Sequence, residues 1–344
     1  MSLLLTFSFL VIAVLLFWPG VGVVSRWREA KRRQARMRRE DALKHILKSE
    51  VNGHLPTLHS VTGVLHISDD AAAEVLTAME RRKLISYTGG KLSLLESGRE
   101  LALHIVRAHR LWESYLAEET GVDEAQWHRL AEQKEHQLSP EEASDLEAKL
   151  GHPIMDPHGD VIPVLGGELD ADEGQPLNTA PINKALEIVH IEDEPIAVYR
   201  QLLALGLRPA MRVCILAKES DFLTLWAEGQ ELALAPILAN NIGILPIPEV
   251  TAADLLDEEY LSDLQIGEQA RVLGLSATCR GAERRRLLDL GFVAGTMISV
   301  ELPSPTGDPT AYIVRGTMIA LRREQARMIS IGQRVSVTES ALSS

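Results

Sequence analysis

Apolar and polar positions divide the chain into regimes of different period. Residues 2–24 (SLLLTFSFLVIAVLLFWPGVGVV) carry no charge and are almost wholly apolar, about the length that crosses a ~30 Å hydrocarbon core. The pattern then turns helical. Residues 41–48 form a helix that stops at Asn52-Gly53, a second short helix runs over 57–64, and Ser68 caps a third over 71–83. Residues 84–87 and 91–94 read as strands joined by Thr88-Gly89-Gly90. Helix, helix, helix and two-stranded wing is the order of a winged helix-turn-helix, which we assign to residues 40–105.

Residues 97–150 are helical throughout. One amphipathic segment covers 98–120 and another 122–137; Ser139-Pro140-Glu141-Glu142 opens a third with an N-cap and a proline at the first helical position. Residues 106–165 are read as a helical dimerisation domain and 166–185 as a linker. The period then shortens. Residues 186–250 and 266–334 hold short β-type runs with one short helix each, and they repeat: Arg200-Gln-Leu-Leu-Ala-Leu-Gly206 matches Arg285-Arg-Leu-Leu-Asp-Leu-Gly291. Two copies of one small barrel joined by an acidic linker, 251–265, explain the repeat. The fold class is multidomain α+β: N-terminal transmembrane helix, winged helix-turn-helix, helical dimerisation domain and two small SH3-like β-barrels.

Charge changes the picture at the N-terminus. Residues 26–39 hold eight basic side chains against Glu29. Positive charge after an apolar span puts that side in the cytoplasm, so residues 1–25 are expected as a single-pass anchor in the cell membrane and 26–39 as a juxtamembrane segment against anionic headgroups. There is no basic n-region or small-residue cleavage pattern of a signal peptide. The net charge is −13, and without 26–39 the chain carries 27 basic against 47 acidic residues. Such a body is repelled by phosphate unless one face is locally basic. Cys214 and Cys279 are the only cysteines, which excludes a disulfide framework or a cysteine zinc site and fits a reducing compartment.

The candidate chemistry lies mid-chain. His109 and Glu113 sit one helical turn apart, as do His128 and Glu132, while Glu135 and His136 follow on the same helix. Carboxylates and imidazoles at this spacing suit a divalent transition ion better than a core. No HExxH motif, nucleophile elbow or phosphate loop occurs, so the chain is not read as an enzyme. Trp112 and Trp127 are read as core or dimer-interface residues, and Arg284, Arg285 and Arg286 as a solvated helix face. His54, His59, His66, His104 and His158 receive no role.

The stretches Arg107-Ala-His-Arg-Leu-Trp-Glu113, Gly121-Val-Asp-Glu124, His128-Arg-Leu-Ala-Glu-Gln-Lys-Glu-His136, Asp156-Pro-His-Gly-Asp-Val-Ile-Pro163 and Ala78-Met-Glu-Arg-Arg-Lys-Leu-Ile85 resemble the diphtheria-toxin-repressor and manganese-transport-regulator family of metal-dependent transcriptional regulators, over about residues 40–250. Residues 279–291 (CRGAERRRLLDLG) are similar to the FeoA domain of ferrous-iron transport. The resemblance implies a homodimer with a primary metal site at Asp41, Glu132, Glu135 and His136 and an ancillary site at His109, Glu113 and His128, to which His190 and Asp193 are further candidates. A carboxylate at position 132 goes with manganese regulators and a thiol with iron regulators. The oxygen-rich set agrees, favouring Mn²⁺ or Fe²⁺. Lys44 stands where the family's manganese regulators place a second carboxylate, with His45 as a substitute. The recognition-helix positions are Ser68, Asp69, Ala71, Ala72 and Glu74; with Asp70 the helix carries three acids there, and residues 40–100 hold nine acidic and seven basic residues. Two readings follow: a membrane-tethered, metal-dependent DNA-binding regulator of metal homeostasis, or a membrane-anchored metal sensor serving a ferrous-iron or manganese permease without DNA binding.

Overall fold

The segment expected as a basic spacer is helical. In the computed structural model, which describes residues 22–88, 91–169, 174–248, 250–276 and 278–336, one 29-residue helix runs over Val23–Val51. Its Ala, Arg, Lys and Glu residues are strong helix formers, and Glu29–Arg33 and Arg36–Glu40 pair at i,i+4. The first half is exposed all round; from residue 40 one face is buried through Ala42, Leu43, Ile46 and Leu47. Most of the expected membrane span, residues 2–21, lies outside the described residues. Among the described residues no helix is long and apolar enough to cross a membrane.

Two compact units are present, Met1–His109 with Glu132–Ala143 and Pro163–Ala171, and Arg110–Ala131 with Ser144–Ile162 and Asp172–Ser344. The first unit holds the winged helix. Helix Leu58–Leu65 starts at a Thr57–Ser60 capping box, and helix Asp69–Arg81 is capped by the Ser68 hydroxyl. Strands Ile85–Thr88 and Lys91–Leu94 pair antiparallel, Ile85 opposite Leu94. Leu43, Ile46, Leu47, Val61, Leu76, Met79, Ile85 and Leu92 form the core. Glu50, near the end of the first helix, accepts from the Leu94 backbone N–H at 2.8 Å, which fixes the wing to that helix. Helix Glu96–Glu119 then departs so close to the chain that a Cβ at Gly98 would lie 1.9 Å from the Leu84 carbonyl oxygen.

The second unit contains both repeats, and they share one connectivity. In the first, strands Ala185–Ile191, Arg212–Lys218, Leu223–Ala227 and Gln230–Leu234 form an antiparallel meander, and Ile242–Pro246 returns to pair with Ala185–Ile191. In the second, Glu268–Leu275, Met297–Pro303, Thr310–Val314 and Thr317–Leu321 do the same, and Ile329–Ile331 returns to Glu268–Leu275. The sequence repeat is the last turn of the helix after each first strand plus its cap. Gly206 and Gly291 have φ of 76° and 96°. The next residue's N–H closes on the helix in both copies, Leu207 to Leu202 O at 3.1 Å and Phe292 to Leu287 O at 3.0 Å, a Schellman motif whose apolar partners are fully buried. Glu228-Gly229 and Arg315-Gly316 both have positive φ and close the matching hairpins as type I′ turns require.

Both linkers are more structured than their composition suggests. Gln175–Pro176 pairs with Ile242–Pro246, and Glu259–Tyr260 pairs with Ile329–Ile331. Leu177, Leu255, Tyr260 and Leu261 are buried, so apolar residues inside these Pro- and Asp-rich stretches anchor them to the sheets.

Candidate metal centre

In the first unit, the helix Val23–Val51 meets the end of helix Trp127–Glu135. Ligand-capable atoms of Asp41, Glu135 and His136 lie within 4.8 Å of one another. His136 Nε2 is 3.1 Å from Asp41 Oδ1, and its Nδ1 is 2.7 Å from Glu40 Oε2. Glu40, unforeseen from the sequence, is 2% exposed and also takes the Arg36 guanidinium at 2.6 Å. Glu135, 1% exposed, accepts from Lys44 Nζ at 3.0 Å and from His109 Nδ1, and Lys44 Nζ stands 3.3 Å from that His109 nitrogen. Glu40, Asp41 and Lys44 share a face because residues three and four apart do.

The electrostatics follow from these contacts. Burial works against the charged form of Glu135, yet the Lys44 ammonium and the hydrogen bond from His109 hold it at about 2. Burial also opposes charge on His136, but hydrogen bonds to Asp41 and Glu40 outweigh it and raise the imidazole to about 9. Two carboxylates and one imidazole are an oxygen-rich donor set of the kind that suits harder divalent ions. Each of these donors has a partner in this structure: Lys44 and His109 on Glu135, Asp41 and Glu40 on His136.

Glu132, expected on the same ion, is exposed and outside the group formed by Asp41, Glu135 and His136. Glu135, one turn along the helix, takes the buried position. His45 does not replace a carboxylate: its Nε2 lies 2.9 Å from the Ser60 hydroxyl.

In the second unit, Glu113 and His128 come together at 3.5 Å, and Asp193 Oδ2 lies 2.6 Å from the same His128 nitrogen. His190 turns away to Asp160, at 3.0 Å, and Glu192. His158 Nδ1 is 3.5 Å from Glu113 Oε2 and 3.7 Å from Asp193 Oδ2. Burial opposes protonation of His158, but Glu113, Asp156 and Asp193 prevail and raise it to about 10. Asp156 is raised, by burial first and then by Asp160 and Glu113.

On the expected DNA face, Asp69, Asp70 and Glu74 are exposed, Ala71 is half-buried, and Ser68 caps the helix. Ala72 is fully buried in the winged-helix core, so it faces away from any groove.

Residues 95–164 match the family model "Iron dependent repressor, metal binding and dimerisation domain", and residues 260–333 match the FeoA domain. The FeoA match begins inside the expected acidic linker, where strand Glu259–Tyr260 joins the second sheet. The chain is 27% identical over 208 residues to the iron-dependent repressor IdeR of Mycobacterium bovis, covering 56% of this chain and 90% of that protein. It superposes on a manganese-dependent transcriptional repressor in complex with manganese with a TM-score of 0.56 and 26% identity, over 61% of this chain and all of that one. It is also 40% identical over 83 residues to a probable metal transport system membrane protein of Chlamydia trachomatis, 24% of this chain but only 18% of that protein. The repressor-type fold implied by the resemblance, and the C-terminal β-rich domains expected from the β-type runs of 186–250 and 266–334, are present.

Proposed function

We propose that this chain is a metal-dependent regulator in which Mn²⁺ or Fe²⁺ joins the N-terminal helix to the dimerisation region. The carrying observation is the convergence of Asp41 on Glu135 and His136. Helix Val23–Val51 packs against the recognition helix through Leu43, Ile46 and Leu47. An ion held by Asp41, Glu135 and His136 therefore sets where that helix, and the recognition helix behind it, sits in each protomer of a homodimer. Metal and DNA affinity are then reciprocally coupled. The likeness to iron- and manganese-dependent repressors supports this reading.

A second reading is favoured by two observations. Asp69, Asp70, Glu74 and Glu80 are exposed on the recognition helix, where a DNA reader presents basic or neutral groups. Part of the chain also resembles a protein named as a metal-transport membrane component. In this reading the chain, anchored by residues 1–25 with its soluble domains in the cytoplasm, reports metal to a permease. Gel retardation by the full chain, purified in detergent, on its own promoter region with and without Mn²⁺ separates the two. Metal-dependent, salt-sensitive retardation supports the regulator; none under either condition supports the transport accessory.

A further inference from the structure

Positive charge on the helix Val23–Val51 forms a row along one side. Arg28, Arg32, Arg36 and Arg39 are spaced by four, four and three residues, so at 3.6 residues per turn they share about a quarter of the circumference. Continued at the same spacing, that face becomes the one that buries Leu43, Ile46 and Leu47 in the winged-helix core. The row therefore lies on the side where the recognition helix packs. Arg39 stands near enough to Arg82, the C-cap of helix Asp69–Arg81, for that second charge to add to burial in lowering its pKa.

Little on this face answers the charge. Among the described residues Arg28 and Arg32 form no ion pair; Glu29 is engaged by Arg33 at 4.0 Å, and Arg36 by Glu40 at 2.6 Å. Arg28, Arg32 and Arg36 are exposed. Outside 26–39 the chain carries 27 basic against 47 acidic residues, so positive potential is concentrated on this helix.

Two kinds of polyanion carry charge to match such a row, a lipid surface and a nucleic-acid backbone. Lipid headgroups at the end of the expected anchor, residue 25, attract every face of a helix alike and only within a Debye length of ~8–10 Å. Arg36 and Arg39 stand about 16–21 Å further along the axis, at ~1.5 Å per residue. A duplex, with a phosphate charge every ~1.7 Å of its axis, offers anions along the whole row.

We propose that Arg28, Arg32, Arg36 and Arg39 bind the sugar-phosphate backbone of a DNA duplex beside the winged helix. Contacts on this row supply affinity and orientation that the acidic positions Asp69, Asp70 and Glu74 do not. Arg36 ties the row to the metal centre, because the Glu40 carboxylate that holds it also holds His136 Nδ1, at 2.7 Å. The inference rests on the DNA-binding reading and places the contacts ahead of residues 40–250, which carry the family resemblance.

Fluorescence anisotropy tests it, with the full chain in detergent, Mn²⁺, and a labelled duplex of its own promoter region at several salt concentrations. Arg28→Gln/Arg32→Gln should reduce the slope of log affinity against log salt by about 2, roughly one per lost phosphate contact. Lys31→Gln/Arg38→Gln, which removes the same charge from another face, should keep the wild-type slope. A wild-type slope in the row variant overturns the inference, and so do equal reductions in both variants, which mark diffuse charge alone. If the row variant keeps the DNA slope but loses binding to phosphatidylglycerol mixed micelles, the row is a lipid surface and the inference again fails. In each of these cases the wild type still binds the duplex and the regulator reading stands; no duplex binding by the wild type overturns both.

Discussion

Lys44 Nζ lies 3.0 Å from Glu135 Oε2, so an ammonium from the N-terminal helix occupies the carboxylate that a metal ion would bridge to Asp41. The same carboxylate is 1% exposed and accepts from His109 as well. The contact between the two helical elements is therefore an ion-pair network.

Replacing Lys44 follows directly. Lys44→Ala leaves Glu135 buried without its main counter-charge, and breaking a buried pair from one side costs about 2–3 kcal/mol for a partly exposed partner. Urea unfolding of the metal-free chain should show that loss, and added Mn²⁺ should restore more stability to the variant than to the wild type. Equal Mn²⁺ responses would mean that Lys44 does not compete with the ion.

The pH response has a fixed sign. His136 is raised from 6.5 to about 9, so its pairing with Asp41 and Glu40 contributes fully below pH 6.5 and is lost as pH rises through about 9. Thermal midpoints of the metal-free chain should fall across that window, and His136→Ala should flatten the fall. Metal binding displaces this proton, so Mn²⁺ affinity should rise with pH over the same window, with proton release visible in buffers of different ionisation heat.

The backbone crossing at Gly98 makes a separate prediction. A methyl there meets the Leu84 carbonyl at 1.9 Å, and forcing the wing and helix apart should cost about 1–3 kcal/mol. Gly98→Ala should lower the urea midpoint, while the same change at Gly121, where nothing lies within 4 Å, should leave it nearly unchanged.

Much of this was legible in the sequence because its signals are local. Ser68 and the 84–94 hairpin each act within a few residues, and the structure keeps them; the repeat at 200–206 and 285–291 was legible as a repeat, and the structure shows it to be a helix end with its glycine cap. The spacing of Glu135 and His136 likewise places two donors at one helix end. What escaped depends on long-range packing. Glu40 differs from Asp41 by one position, and only the position of His136 shows that both carboxylates face it. His158 lies on a loop with no periodicity, and its neighbours Glu113 and Asp193 come from distant parts of the chain. Tyr260 and Leu261 are buried inside an acidic run, where composition alone reads as linker.

The central claim is that one ion bridges Asp41 to Glu135 and His136. It is tested most directly by the thermal unfolding of the full chain with and without Mn²⁺, in wild type and Glu135→Ala. We predict a metal-dependent rise in the midpoint for the wild type that is lost or sharply reduced in Glu135→Ala; an equal rise in both would contradict the bridge.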